Sequence, residues 1–237
     1  MNDIYKLTPI HHWHQQHGAR FVLEAGWKRV ESYGNPEQEV SLVSTAAGIC
    51  DATPLTKIDL QGKDAAAFLA RQLPGAAIPA LGFHNRVRLS GDEKGGELQV
   101  ARLKTERLLV FGPPDARDVL VPRFTERATS LECSHVTDLT SAFAAMRLVG
   151  PSSAAVLKKI CPLDLDRLAS GRCAQAPVAR VGAVVLRDDL MGWMGYLILV
   201  SRDYGEYVWK SMLSAGEGLH IGCFGLTAEK KVESEKC

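Results

Sequence analysis

The chain has 237 residues, enough for one large hydrophobic core or two smaller ones. Its 28 basic and 27 acidic side chains leave a formal net charge of +1, and they form no polybasic run. A nearly neutral chain lacks the positive footprint that attracts phosphate backbones and anionic membranes. We therefore expect neither nucleic acid nor a membrane as a partner.

The sequence also points to a cellular location. Its first residues lack the pattern of a basic segment, an apolar core and a small-residue cleavage site, and its longest apolar run, MGWMGYLILV, is too short to span a bilayer. The six cysteines are scattered without a C-x-x-C pair, which favours buried thiols over a zinc site or a disulfide framework. We therefore expect an intracellular, cytoplasmic protein.

The stretch HHWHQQH holds four of the seven histidines. A Thr-Pro pair at 8–9 predicts the start of a helix here, and Gly18 predicts its end. The i, i+3, i+6 spacing of His11, His14 and His17 brings two imidazoles within reach of one metal ion. However, the helix contains no Asp, Glu or Cys to complete a ligand shell. We therefore predict structural or surface histidines and no metal site.

The later elements follow from apolar periodicity and from turn residues. Asn35-Pro36 opens a second helix that runs to Gly48, and the segment CDATPLTKIDLQG is predicted to be extended. The residues from Ala169 to Ala179 are predicted to form a loop. Two hairpins and a helix complete the prediction: KGGELQVARL with ERLLVFG, ARVGAVVLRDDL with GYLILVS, and the helix YGEYVWKSMLSAG.

A strand–glycine–helix pattern occurs twice. KIDLQG followed by KDAAAFLARQL is repeated as MRLVG followed by PSSAAVLKKI, with Gly62 and Gly150 at the matching turns. Each such unit buries only one face and needs its copy to close a core. The repeat predicts an α+β fold made of duplicated strand-helix half-domains. We expect a helical lead-in at 1–48, a first half at 49–136 and a second half at 137–237.

The same segments resemble a known family. TPIHHWHQQHGARFVLEAGW, AAGICDATPLTKIDLQGKDAAAFL, MRLVGPSSAAVL, DDLMGWMGYLILV and IGCFGLTAEKKVESE follow the order found in the T-protein of the glycine cleavage system, a folate-dependent aminomethyltransferase. The resemblance covers nearly the whole chain. It implies the doubled α+β fold with tetrahydrofolate in a central cavity. In active members, folate N5 accepts a one-carbon unit from an aminomethyl-lipoyl arm or an N-methyl compound.

The resemblance also concerns length and partners. T-proteins continue into a further β-rich domain, and the present sequence ends at Cys237, so we expect a shortened form without that domain. Apolar surface left by its absence needs a cover, for which a lipoyl carrier, an oxidase or another subunit are the candidates. The small subunit of heterotetrameric sarcosine oxidase, which resembles a shortened T-protein and works inside a complex, is a precedent.

The polar residues that the resemblance assigns to folate are replaced in this sequence. The family aspartate that assists the chemistry falls on Ala76, the pterin-binding tyrosine on Leu190, and the pterin-binding glutamate on Leu197. The family arginine falls near Glu229. No catalytic residue is therefore assigned. Each polar group of a buried ligand that is left unpaired costs about 1–3 kcal/mol, so these changes predict weakened folate binding.

Two functions remain open. In the first, the chain is an accessory module with a degenerate folate pocket. Within this reading, a less polar ligand would occupy the pocket if Leu55, Met194 and their apolar neighbours line it. In the second, it is an active tetrahydrofolate-dependent aminomethyl- or methyltransferase in which Asp188 or Asp189 replaces the lost ligands. Both aspartates, like Asp51, also fit the simpler interpretation of turn residues. The candidate cofactor-binding residues are Leu55, Asp188, Asp189, Leu190, Trp193 and Leu197.

Overall fold

The computed structural model describes residues 4–88, 96–128, 135–190 and 192–234. Its backbone contacts divide the chain into two compact units. The first unit draws on 1–53, 143–170 and 175–237, and the second on 54–142 and 171–174. These units differ from the boundaries expected at 48/49 and 136/137, because the strand that follows residue 47 pairs inside the first unit.

The elements alternate between helices and short strands along the chain. The helices are α1 His11–Gln16, α2 Pro36–Thr45, α3 Ala65–Gln72, α4 Ala116–Ala128, α5 Ser153–Lys158, α6 Gly205–Gly216 and α7 Leu226–Ser234. The strands are β1 Arg20–Glu24, β2 Trp27–Ser32, β3 Gly48–Asp51, β4 Thr56–Gln61, β5 His84–Arg88, β6 Glu97–Lys104, β7 Arg107–Gly112, β8 His135–Asp138, β9 Phe143–Val149, β10 Cys173–Val178, β11 Val181–Arg187, β12 Gly195–Ser201 and β13 Gly222–Cys223. The two predicted hairpins, β6–β7 and β11–β12, are confirmed.

The second unit is built on a five-stranded antiparallel sheet with the order β5-β6-β7-β4-β8. Helices α3 and α4 supply the apolar side chains that cover it, and Phe68 and Phe124 meet edge to face with ring centroids 5.8 Å apart. Alternate residues of each strand face these helices, which explains why Ile58 and Leu60 of β4 are both buried. This unit therefore has a core of its own.

The first unit is built on a six-stranded sheet with the order β10-β11-β12-β9-β3-β13. Helices α5 and α6 pack on one face of it. On the other face, a cluster of apolar side chains connects the sheet to α2 and α7; its buried members are Val43, Cys50, Val149, Leu190, Phe224 and Ala228. We call this group the hairpin-tip cluster, because it lies under the tip of the β11–β12 hairpin.

The predicted duplication is confirmed. Strand β4 leads through Gly62 into α3, and strand β9 leads through Gly150 into α5. Both glycines have φ of +130°, a conformation that side chains with a Cβ disfavour. The strand order repeats as well, since β5-β6-β7-β4 in one sheet corresponds to β10-β11-β12-β9 in the other. The chain therefore has a duplicated α+β fold.

Two local predictions were wrong. Helix α1 begins at His11 without a side-chain cap, because the Thr8 hydroxyl bonds to the Asp51 carboxylate instead. The segment predicted as a loop from Ala169 to Ala179 contains strand β10. In the parts of the chain that the structure describes, no helix combines the length and the apolar composition needed to cross a lipid bilayer.

Candidate functional site

The candidate residues fall in both units. Leu55 and Ala76 belong to the second unit, and the other five lie on or beside the β11–β12 hairpin of the first. The Leu55 carbonyl accepts a hydrogen bond of 2.7 Å from Lys57 Nζ. Ala76 follows α3, where its amide donates to the Leu73 carbonyl and its methyl group packs against the core of the second unit. Neither residue offers a polar side chain.

The tip of the hairpin is closed and apolar. The amides of Leu190 and Trp193 each donate to the other residue's carbonyl, at 3.0 and 2.9 Å, and Gly192 takes a φ of +80° between them. Leu190 is buried in the hairpin-tip cluster, and Trp193 packs against the edge of that cluster. The position that the resemblance gives to a pterin-binding tyrosine therefore contributes to apolar packing.

A buried ion pair lies beside Leu197, the position of the family glutamate. Leu197 is fully buried in β12 and stands directly opposite Arg147 of β9. Directly opposed residues share a face of the sheet, so both side chains lie on the same side. Arg147 Nη2 is 3.8 Å from Asp188 Oδ2, and the Asp188 side chain is only 3% exposed. The interpretation of Asp188 as an exposed turn residue is therefore wrong.

Asp189 has a different role from its neighbour. It forms an ion pair with Arg187. The residue opposite Arg187 in β12 is Tyr196, so Arg187 does not share a face of the sheet with Leu197. Asp189 Oδ1 accepts from Arg187 Nε at 2.5 Å and from the Gly195 amide at 3.0 Å. Partial burial raises the pKa of Asp189, but these hydrogen bonds outweigh it and the net pKa is lowered. Asp189 thus stays ionised and fastens the hairpin, which leaves Asp188 as the carboxylate on the Leu197 side.

An acidic residue lies near the position that the resemblance gives to an arginine. The expected arginine falls near Glu229 of α7, whose Oε2 lies 3.8 Å from Nη2 of Arg29 in β2. Both side chains are mostly buried, at 17% and 13% exposed. Arg29 of β2 therefore supplies a cation in this region, and it pairs with both Glu24 and Glu229.

The histidine-rich helix takes part in a buried hydrogen-bond network. His14 Nε2 lies 3.1 Å from Asp51 Oδ2, and its Nδ1 lies 2.7 Å from the Tyr33 hydroxyl. Asp51 is the last residue of β3, and its Oδ1 also accepts from the Thr53 amide just beyond the strand. His17 stacks on Trp13 at 3.8 Å. Across residues 4–88, 96–128, 135–190 and 192–234, no three potential metal ligands come together.

The side chains in this region include a buried ion pair and a buried thiol. A carboxylate and a guanidinium recognise polar groups through charge-assisted hydrogen bonds, but the Asp188 and Arg147 side chains are only 3% and 12% exposed. Cys50, a member of the hairpin-tip cluster, is not an activated nucleophile, because burial raises the pKa of its thiol well above the usual value. Arg147 was missed from the sequence, although a single arginine within AAMRLVG was the available signal.

Comparison with known proteins identifies the family. The profile of the GCVT N-terminal domain matches residues 10–237, so the chain belongs to this family and the resemblance seen in the sequence is confirmed. An aminomethyltransferase of Streptomyces coelicolor is 27% identical over 233 residues, which cover 97% of this chain and 62% of that protein. The alpha subunit of sarcosine oxidase from Corynebacterium sp. U-96 is 27% identical, over a segment that covers 99% of this chain and 26% of that subunit.

Solved structures agree on the fold. The glycine cleavage system aminomethyltransferase T from Bartonella henselae superposes with a TM-score of 0.84 at 24% identity, over 98% of this chain and 63% of that one. A chain of the heterotetrameric sarcosine oxidase from Corynebacterium sp. U-96 gives a TM-score of 0.64 at 21% identity, over 90% of this chain and 95% of that one. The present chain thus spans a little over three fifths of the aminomethyltransferases that it matches.

Proposed function

We propose that the chain is an aminomethyltransferase-like module with a degenerate folate pocket, acting as an accessory subunit in amine or one-carbon metabolism. One observation carries this proposal: the positions assigned to the pterin-binding tyrosine and glutamate are Leu190 and Leu197, and both are buried leucines, Leu190 in the hairpin-tip cluster and Leu197 in β12. A pterin presents fused hydrogen-bond donors and acceptors, which leucine cannot satisfy.

The magnitude of the loss supports an accessory role. Two unpaired polar groups cost about 2–6 kcal/mol together, which weakens binding by roughly 30-fold to more than 10,000-fold. Asp189 does not compensate, since Arg187 and the Gly195 amide already engage it. The residues at these positions therefore do not fit tetrahydrofolate in the manner that the resemblance implies, and we derive no catalytic step through it.

The proposed partners are a lipoyl carrier, an oxidase or another transferase subunit. Support comes from the relatives, because this fold also occurs in a chain of a heterotetrameric sarcosine oxidase. The alpha subunit of a sarcosine oxidase carries a segment 27% identical to almost the whole chain. A module of this kind would act beside the subunit that performs the chemistry. A cytoplasmic location stays a prediction.

The second candidate function is an active tetrahydrofolate-dependent aminomethyl- or methyltransferase with a rearranged site. The observation that favours it is the buried Asp188 beside Arg147, which stands opposite Leu197 in the sheet. In this arrangement Asp188 would take the place of the lost glutamate. A carboxylate at this position would accept from the N–H groups of a ligand.

Anaerobic calorimetric titration with tetrahydrofolate tests both candidates. We expect no saturable heat up to about 1 mM, because the pocket lacks the required carboxylate. Leu197→Glu should restore binding, whereas Leu199→Glu, two residues along the same face, should not. Tryptophan fluorescence checks that both variants are folded. Micromolar binding by the wild-type chain, abolished by Asp188→Asn and retained in Asp189→Asn, would overturn the accessory role and establish the second candidate.

A further inference from the structure

The first unit contains a surface pocket of 540 Å³ that the proposed function does not use. The pocket lies between the end of α5, the turn from β10 to β11, and one side of α6. Its nine lining residues include three cations and a tyrosine, and none of the nine is a carboxylate. The polar members are Lys158, Lys159, Cys161, Arg180, Tyr207 and Ser211.

Two of the cations have hydrogen-bond partners beside the pocket. Lys158 Nζ lies 2.7 Å from both carboxylate oxygens of Asp166, and Lys159 Nζ donates to the Ala215 carbonyl at 2.7 Å. Asp166 therefore offsets one of the three positive charges. The pocket keeps an excess of positive charge, which raises the local concentration of anions.

The third cation is placed by an unfavourable turn. Ala179 and Arg180 join β10 to β11 with φ values of +48° and +68°, where asparagine and glycine are preferred. The Ala179 amide donates to the Ile160 carbonyl at 2.8 Å, which fixes the turn against the end of α5. Backbone strain of this kind persists where the surroundings impose it, and it concentrates at functional positions. Here it places the exposed Arg180 in the lining of the same pocket as the two lysines.

The remaining polar groups restrict the ligand further. Burial raises the pKa of the Cys161 thiol, so this side chain stays neutral and does not repel an anion. The Ser211 hydroxyl donates to the Tyr207 carbonyl at 2.8 Å, which occupies its proton. Tyr207 is 52% exposed and offers a flat apolar wall. Recognition therefore depends on the three cations and on this ring.

We propose that the pocket binds a small phosphorylated molecule. Its phosphoryl group lies among Arg180, Lys158 and Lys159, and its organic part packs against Tyr207. A phosphoryl group carries up to two negative charges and three acceptor oxygens, which suits a guanidinium fork with two ammonium groups beside it. A carboxylate carries a single charge and has fewer acceptor oxygens, so it fits less well.

NMR titration of the full chain with inorganic phosphate, at constant ionic strength, is the first test. We expect saturable shifts of the amides at 158–161 and 179–181, and smaller shifts with acetate. Arg180→Gln should weaken binding at least about tenfold, since it removes one charge-assisted contact. Lys210→Gln, which lies on α6 but does not line the pocket, should bind like the wild type. Non-saturable shifts, equal shifts with acetate, or equal losses in the two variants would overturn the proposal.

Two further variants separate a binding role from a structural one. Arg180→Gly relieves the strained φ, so we expect a higher melting temperature together with loss of phosphate binding. A variant that gains stability and still binds phosphate would contradict the role of Arg180. Phenyl phosphate should bind more tightly than inorganic phosphate, and Tyr207→Ala should abolish that difference. Equal affinity for the two ligands in the wild-type chain would exclude Tyr207 as the wall for the organic part.

Discussion

Replacing Asp51 by asparagine removes the negative charge that faces His14 inside the first unit. The two side chains are 4% and 1% exposed, so water cannot compensate for the loss. Asparagine can keep the bond from the Thr53 amide but not the charge-assisted contact at 3.1 Å. A buried hydrogen bond to a charged group contributes about 1.5–3 kcal/mol. We therefore expect Asp51→Asn to lower the free energy of unfolding of the first unit by about 2 kcal/mol at pH 7.

The effect should depend on pH. Burial by itself raises the pKa of Asp51, but the hydrogen bonds and charge of His14 and the bonds from Thr53 and Thr8 outweigh it, and the net pKa is lowered. A carboxyl whose folded pKa is depressed stabilises the fold above its unfolded pKa of about 3.9, and this contribution is lost as pH falls through the folded value. The difference between the wild type and Asp51→Asn should therefore shrink below about pH 4.

Tryptophan fluorescence during urea unfolding measures this directly. All four tryptophans belong to the first unit, so their signal reports that unit alone. Trp209 also meets the His14 ring edge to face at 4.9 Å, which makes it a local probe. Asp203→Asn, at an exposed position of the same unit, should change stability by less than about 0.5 kcal/mol. A change that small for Asp51→Asn at pH 7, or an undiminished difference at pH 3, would refute the reasoning.

Three further variants are expected to be destabilised. Glu39→Gln should lose about 1–2 kcal/mol by tryptophan fluorescence, because an amide cannot accept from both backbone N–H groups that the buried Glu39 now binds, at 2.6 and 2.8 Å. Asp59→Asn should lose about 3 kcal/mol in the second unit, measured by hydrogen exchange in β4 and β7, because it disrupts the two 3.0 Å bonds from Arg107. Gly150→Ala should lose more than about 3 kcal/mol by fluorescence, because its Cβ would lie 2.6 Å from the Val43 carbonyl oxygen at a φ of +130°.

Each variant has a matched control in the same unit. Glu37→Gln, on α2 like Glu39, affects an exposed ion pair with Lys231 of α7. Glu97→Gln, in the second unit like Asp59, affects an exposed ion pair with Arg86. Gly182→Ala places a Cβ where no atom lies within 4 Å. Each should change stability by less than about 1 kcal/mol. If a control loses as much stability as the variant that it matches, the buried contacts are not the cause of that variant's loss.

Local patterns were sufficient to predict much of the fold. The hairpin β11–β12 follows from two apolar runs, and the repeat follows from matching glycines at Gly62 and Gly150. Strand β10 was missed because CAQAPV contains a proline and only two of its six residues are buried. Both features suit a strand at the edge of a sheet, where one side forms no ladder, and β10 occupies that position.

The candidate site was less predictable, because its contacts join distant parts of the sequence. Nothing local indicates that Asp188 is buried beside Arg147, while the adjacent Asp189 bonds to Arg187. That difference arises from the alternation of side chains at the end of β11, and it depends on the pairing of β9 with β12. The contact between His14 and Asp51 likewise requires α1 to pack near β3, which periodicity within the helix cannot reveal.

The order in which the two units are encoded has a consequence for synthesis on the ribosome. Strand β3 pairs with β9 and β13, which are translated only after nearly all of the second unit. The second unit has its own core from 54–142 and can fold early. The newly made β3 stays unpaired until β9 is translated, and Ile49 and Cys50, which are buried in the folded chain, remain exposed during that time. Unpaired apolar strands of this kind invite aggregation and chaperone binding. Nascent chains should therefore be most vulnerable between translation of β3 and of β9.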